Sequence, residues 1–161
     1  MIEDQYEIEI ALIKTIKYLE EMADLTEASD NNKKLLETLS ICKKDIAKCK
    51  KLLVKSSAKP FSCIVIEISR IIGHYEKIGK GESFDTFKKV NDLLRSFCEL
   101  YNNFNLKKLE SIIKQKEDVT NRCLRWIECV ERGEEELVMN SFMITQRISS
   151  MIESLVALES L

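Results

Sequence analysis

Proline occurs once in the 161 residues, glycine four times and histidine once. Proline and glycine punctuate strands, hairpins and long loops, so their scarcity argues for long helices with few breaks. A single histidine excludes any two-histidine metal site. The six cysteines contain no CxxC pair and no Cys/His zinc spacing. No apolar run approaches the ~18 residues that a membrane span needs; the densest patch, CIVIEI, is interrupted by Glu67. The opening MIEDQYEIEI is acidic and lacks a basic segment followed by an apolar core, so it does not read as a secretory signal. GKGES has neither the length nor the GK[ST] ending of a phosphate loop.

What is present is apolar residues (45%) and charge (32%) in the proportions of an ordinary globular chain. A chain of this length is expected to form one domain, residues 1–161, burying roughly 70% of its unfolded surface. That core makes a disulfide scaffold unnecessary, and the cysteines then point to a reduced setting, cytoplasmic or nuclear.

Helical spacing runs almost throughout. Ile8, Leu12, Ile16, Leu19 and Ala23 fall on one face, followed by a break at TEASDNN where Ser29 or Asp30 is suited to cap the next helix. Leu35, Leu39, Cys42, Ile46, Cys49 and Leu53 make a second stripe, ended by SSAKP. A third helix follows Pro60 and carries Phe61, Ile64, Val65, Ile68, Ile72 and Tyr75, with Ile66 and Ile71 widening its apolar arc. After GKGES, with Ser83 as its cap, a fourth presents Phe84, Phe87, Val90, Leu94, Phe97 and Tyr101. The fifth starts near Leu106 and uses Leu109, Ile113, Val119, Cys123, Trp126 and Val130. Gly133 either ends it or lies within one very long helix; a hairpin there is the preferred expectation. The last lines up Leu137, Ile144, Ile148, Met151, Leu155 and Leu158. The pattern predicts an all-α, antiparallel up-and-down bundle of five or six amphipathic helices, with a four-helix-bundle-like core and a C-terminal hairpin.

The charge is unevenly spread. Residues 1–30 carry a net −7, residues 31–59 a net +7, residues 60–116 a net +3 and residues 117–161 a net −5. Six lysines lie between residues 43 and 55 with only Asp45 among them. If the second stripe faces inward, Lys44, Lys48, Lys51 and Lys55 are spaced four, three and four apart on another face. Like charges so placed cost a helix about 0.2–0.5 kcal/mol per pair. Two outcomes answer that cost. The lysines pair with acidic neighbours inside the fold, or, together with Lys59, they form a surface for an anionic partner: an acidic protein or acidic lipid headgroups. The segment has no arginine, and no aromatic before Phe61, which argues against nucleic acid.

Catalytic candidates are few. Cys42 and Cys49 are two turns apart, ~10.5 Å, too far for a disulfide or shared metal on one straight helix. They read as small core residues, as do Cys63, Cys98 and Cys123, whereas Cys129 falls on a different face from Cys123. His74, in RIIGHYEKIGKGES, resembles the exposed histidine of phosphotransfer bundles, which is followed by lysine three residues on and then glycine. Lys77 is in step, Ile78 stands at the glycine position and Gly79 arrives one residue late. NNKKLLETLSICKKDIAKCKKLL and FDTFKKVNDLLRSFCELYNNF together resemble helices of the HeLo-type cell-death bundles, over about 44 residues of apolar spacing with basic punctuation. That resemblance implies a lysine stripe meeting acidic, phosphoinositide-rich membrane. The expectation from the residues is a non-enzymatic adaptor or protein-interaction module without metal, cofactor or small-molecule substrate. A membrane-surface effector using the second helix is the alternative, and a phosphotransfer domain through His74 a further one.

Overall fold

A computed structural model describes residues 2–28, 32–55, 61–79 and 84–160. The expected caps Ser29, Asp30 and Ser83, together with Lys59 and Pro60, lie outside the described residues. Those described are all-helical, with no strand among them. The helices are α1 (Ile2–Glu27), α2 (Asn32–Lys55), α3 (Ser62–Ile78), α4 (Asp85–Asn102), α5 (Leu106–Glu128) and α6 (Glu135–Glu159).

Two breaks show how the sequence punctuates the chain. The NNFN segment ends α4, and the Asn105 side chain then accepts from the Lys108 amide at 2.8 Å, satisfying an orphan donor of α5. Gly133 lies at φ +97°, a left-handed conformation that glycine adopts without a Cβ clash. The chain therefore turns between α5 and α6, and Glu135 and Glu136 sit in the first turn of α6, where the helix dipole favours negative charge.

Consecutive helices run antiparallel. Lys14–Asp45 and Glu21–Lys34 fix α1 against α2, His74–Asn140 and Glu67–Arg147 fix α3 against α6, and Phe84 stacks on Trp126 between α4 and α5. Around the bundle, α1 packs on α2, α2 on α3, α3 on α6, α6 on α4 and α4 back on α1, while α5 lies outside against α4 and α6. The core is one cluster centred on Tyr75, Phe87 and Phe97, and it takes in the predicted stripes of α1, α2 and α4.

Several apolar expectations are corrected. Ile113 is exposed and Ile112 is buried in its place, because the inward arc of α5 is set by Ile112, Val119 and Cys123. Ile66 is exposed on α3, and Cys63 lies on the solvent side of its first turn. Leu106 is also exposed, in the first turn of α5.

Polar groups are buried where sequence periodicity shows only helix. Tyr75 donates to Asn91 Oδ1 at 2.5 Å, and Asn91 Nδ2 donates to Thr26 Oγ1 at 3.2 Å and to the Ala23 carbonyl at 3.4 Å. This ties α3, α4 and α1 together at the bundle centre. Beside it, Arg95 donates to Asp24 and Glu27, each at 2.7 Å, closing the α1–α4 seam from the surface. Glu67, 8% exposed, accepts from Arg70 at 3.1 Å and faces Arg147 at 3.7 Å.

Candidate interaction surface on the second helix

Each side of α2 has its own chemistry. Leu35, Leu39, Cys42, Ile46 and Cys49 point inward and are buried. The side toward α1 carries Asp45, which meets Lys14 at 3.7 Å, and Lys34, which meets Glu21 at 3.7 Å. The side toward α3 carries Lys43, ion-paired with Glu76, and Lys50, which donates to Ser69 Oγ at 2.8 Å.

The lysine run is therefore divided. Lys34 and Lys43 find acids on the neighbouring helices. Lys44, Lys48 and Lys51 are exposed, and none of the ion pairs found among the described residues involves them. Lys55 is the last residue of α2. The acidic α1 does lie beside the basic α2, but Asp24 and Glu27 turn to Arg95 on α4. Two of the acids of α1 thus pair away from the lysine face, a distribution that residue counts do not reveal.

Lys48 also borders a groove of about 300 Å3 between α1 and α2, lined by Glu7, Ile10, Ala11, Lys14 and Asp45. The exposed apolar residues Leu36 and Val54 stand at the two ends of the lysine face. The face is therefore amphipathic and positive, with a continuous helical backbone holding the charges two turns apart from Lys44 to Lys51. It can attract an extended anionic ligand electrostatically and give it apolar contact at either end.

His74 is half-buried at the α3–α6 seam, with Nδ1 2.8 Å from Asn140 Oδ1. Asn140 Nδ2 donates to the Glu136 carbonyl at 2.8 Å, which turns the amide oxygen to the ring, so Nδ1 carries the proton and donates. Of the cysteines, Cys42, Cys49, Cys98 and Cys123 are buried, while Cys63 and Cys129 are exposed. Burial pushes the Cys42 thiol up to about 12, with Asp45 and Glu21 adding to the shift. Burial followed by Asp45 pushes Cys49 up to about 11. These groups are held as thiols, not as the thiolates that nucleophilic chemistry uses. Among the described residues no group of three His, Cys, Asp or Glu side chains is placed to hold a metal ion, and no helix is long and apolar enough to cross a membrane.

The fold and the face define an all-α bundle with an amphipathic, lysine-bearing surface helix. Comparison with protein-family models, with curated proteins and with solved structures finds no match to the chain.

Proposed function

We propose that the protein is a non-enzymatic interaction module that docks an acidic amphipathic helix of a partner protein on the outer face of α2. One observation carries this reading: Lys44, Lys48 and Lys51 face solvent without an ion pair among the described residues, framed by exposed Leu36 and Val54. A helix with acids at matching four–three spacing would relieve the like-charge repulsion along α2 and cover both apolar ends. Electrostatic complementarity of this kind sets encounter rate and partner choice, which suits an adaptor.

The test is a fluorescence-anisotropy titration with a synthetic leucine/glutamate amphipathic peptide at two ionic strengths. Binding that weakens with salt and is lost in a folded K44E/K48E/K51E variant supports the proposal; no binding of the peptide by the wild type overturns it. The same exposed lysines favour a second reading, attachment to acidic membrane. In that case the protein would sediment with phosphatidylserine vesicles but not with phosphatidylcholine vesicles, and the triple variant would lose the difference.

A further inference from the structure

From the exposed face of α1 we infer that a second copy of this chain docks there, α1 against α1 and antiparallel about a two-fold axis, so that the protein forms a symmetric dimer. The contact lies on α1 and does not rest on the docking role proposed for α2.

α1 is apolar on two sides. Ile8, Leu12, Ile16 and Leu19 are buried in the bundle, where α2 and α4 pack on the helix. On the solvent side Tyr6 is 64%, Ile10 50% and Ile13 53% exposed. Their spacing of four and three puts these large apolar side chains in one stripe along about two turns.

Charged side chains frame the stripe in a set order. Glu3 and Glu7 stand before its centre and Lys14 and Lys17 after it, all exposed. Glu3, Glu7 and Lys17 take part in none of the ion pairs found among the described residues. Lys14 reaches Asp45 at 3.7 Å with its side chain still 58% exposed, so its ammonium has donors to spare.

With ~100° of turn per residue and Ile10 as the centre line, Tyr6 and Ile13 fall ~40° and ~60° to one side, and Glu7 and Lys14 ~60° and ~40° to the other. Glu3 and Lys17 lie within ~20° of the line, one at each end. A two-fold axis through Ile10 sets each residue level with the one equally far beyond the partner's Ile10, and turns each side of the stripe to its like. Ile10 then meets the partner's Ile10. On one side Tyr6 comes within one residue of the partner's Ile13; on the other, Glu7 comes within one residue of the partner's Lys14. Glu3 comes level with the partner's Lys17. Both charged contacts join unlike charges, and symmetry makes each of them twice. The groove between α1 and α2 opens on the Glu7 and Lys14 side and gives the partner's side chains room. A parallel pairing in register would set Glu3, Glu7, Lys14 and Lys17 each on its own copy, like charge on like, so charge selects the antiparallel one.

The contact is isologous, so association closes at the dimer. From Glu3 to Lys17 it spans ~21 Å of helix, which is small for a specific interface, and the dimer is expected to be weak and to form with rising concentration.

The experiment is sedimentation velocity on the whole chain over a range of concentrations, at ~50 mM salt and at ~500 mM, where the Debye length shortens to roughly 4 Å. Wild type is compared with E3K, K17E, E3K/K17E and I10D, with helicity checked by circular dichroism. These positions are exposed and outside the ion pairs found among the described residues, so the variants are expected to stay folded. Wild type is expected to pass from monomer to dimer and no further, with salt weakening the dimer. E3K and K17E each set like charges together at both ends of the contact and should dimerise about tenfold more weakly. E3K/K17E restores unlike pairs in exchanged order and should return to within about threefold of wild type. I10D places two carboxylates on the axis and should abolish the dimer. A wild type still monomeric at about 1 mM overturns the inference, as does growth beyond dimer. A dimer that I10D leaves intact uses another surface and overturns it too. Single charge variants no weaker than wild type, or a double variant that does not recover, would refute the antiparallel register.

Discussion

Replacing Tyr75 by Phe and Asn91 by Leu, singly and together, asks whether the bundle centre is held by a polar pair or by shape alone. Both side chains are fully buried, and the Tyr75 hydroxyl lies 2.5 Å from Asn91 Oδ1. Y75F leaves that carbonyl oxygen without its donor; N91L, of similar shape, leaves the hydroxyl without its acceptor. An orphaned buried polar group costs about 1–3 kcal/mol, so each single variant should lose that much. The Thr26 hydroxyl is spared in both, because it donates to the Ala23 carbonyl at 2.7 Å. In the double variant both polar partners are gone and two apolar surfaces meet, a change that is nearly neutral. The two losses should therefore fail to add, with a coupling energy of about 1–3 kcal/mol. Urea unfolding followed by circular dichroism measures it, provided the m-value is unchanged; in thermal scans each kcal/mol corresponds to ~2–4 °C for a chain of this size. Losses that add to within about 0.5 kcal/mol would refute the reasoning, because they would mean the pair does not act as a unit.

Glycine positions give opposite signs. Gly133 at φ +97° should make G133A cost about 1–2 kcal/mol, whereas Gly73 lies inside α3 with open space around an added Cβ, so G73A should gain about 0.4–1 kcal/mol; both are read by urea unfolding. Ellman's reagent at pH 8 should titrate two thiols rapidly, Cys63 and Cys129, and the other four only on unfolding. Stability should fall at alkaline pH. The Cys42 and Cys49 thiols, raised by burial to about 12 and about 11 from 9.0, stay protonated in the fold while the unfolded chain ionises above pH 9. Their contribution is thus complete below pH 9 and declines above it, each by up to about 1.4 kcal/mol per pH unit; C42A/C49A should flatten that slope in urea midpoints measured between pH 9 and 11. Arg95 should matter more than an ordinary surface charge, since R95A strips Asp24 and Glu27 of their shared partner and loosens α1 from α4. A loss of about 1–3 kcal/mol is expected, against under 1 kcal/mol for the exposed Lys34→Ala.

The architecture was legible because a stripe at 3.6-residue spacing buries the same face whatever its neighbours are, as α1 and α4 show. Registers failed where two adjacent apolar residues compete. Ile112, seven residues before Val119 and eleven before Cys123, shares their arc, whereas Ile113 lies about 100° away, so the later stripe itself selects Ile112. Asn91 had a signal that went unused: Phe87, Asn91, Leu94 and Cys98 alternate by four, three and four, which places a polar residue within an apolar seam. Glu67 interrupts CIVIEI; its hydrogen bond comes from Arg70, three residues on, whereas the second cation beside it, Arg147, stands eighty residues away, where no local pattern reports it. The lysine face was half legible. Spacing separates Lys44, Lys48 and Lys51 from the inward stripe, but only the packed structure shows that Glu76 takes Lys43 and that Arg95 draws Asp24 and Glu27 away.

The docking role of α2 is tested most directly by amide NMR on the 15N-labelled chain during titration with the leucine/glutamate peptide. The account predicts salt-sensitive shifts concentrated between Leu36 and Val54, strongest around Lys44, Lys48 and Lys51, with the α3–α6 seam unmoved. Shifts that map elsewhere, or that persist in K44E/K48E/K51E, would contradict it.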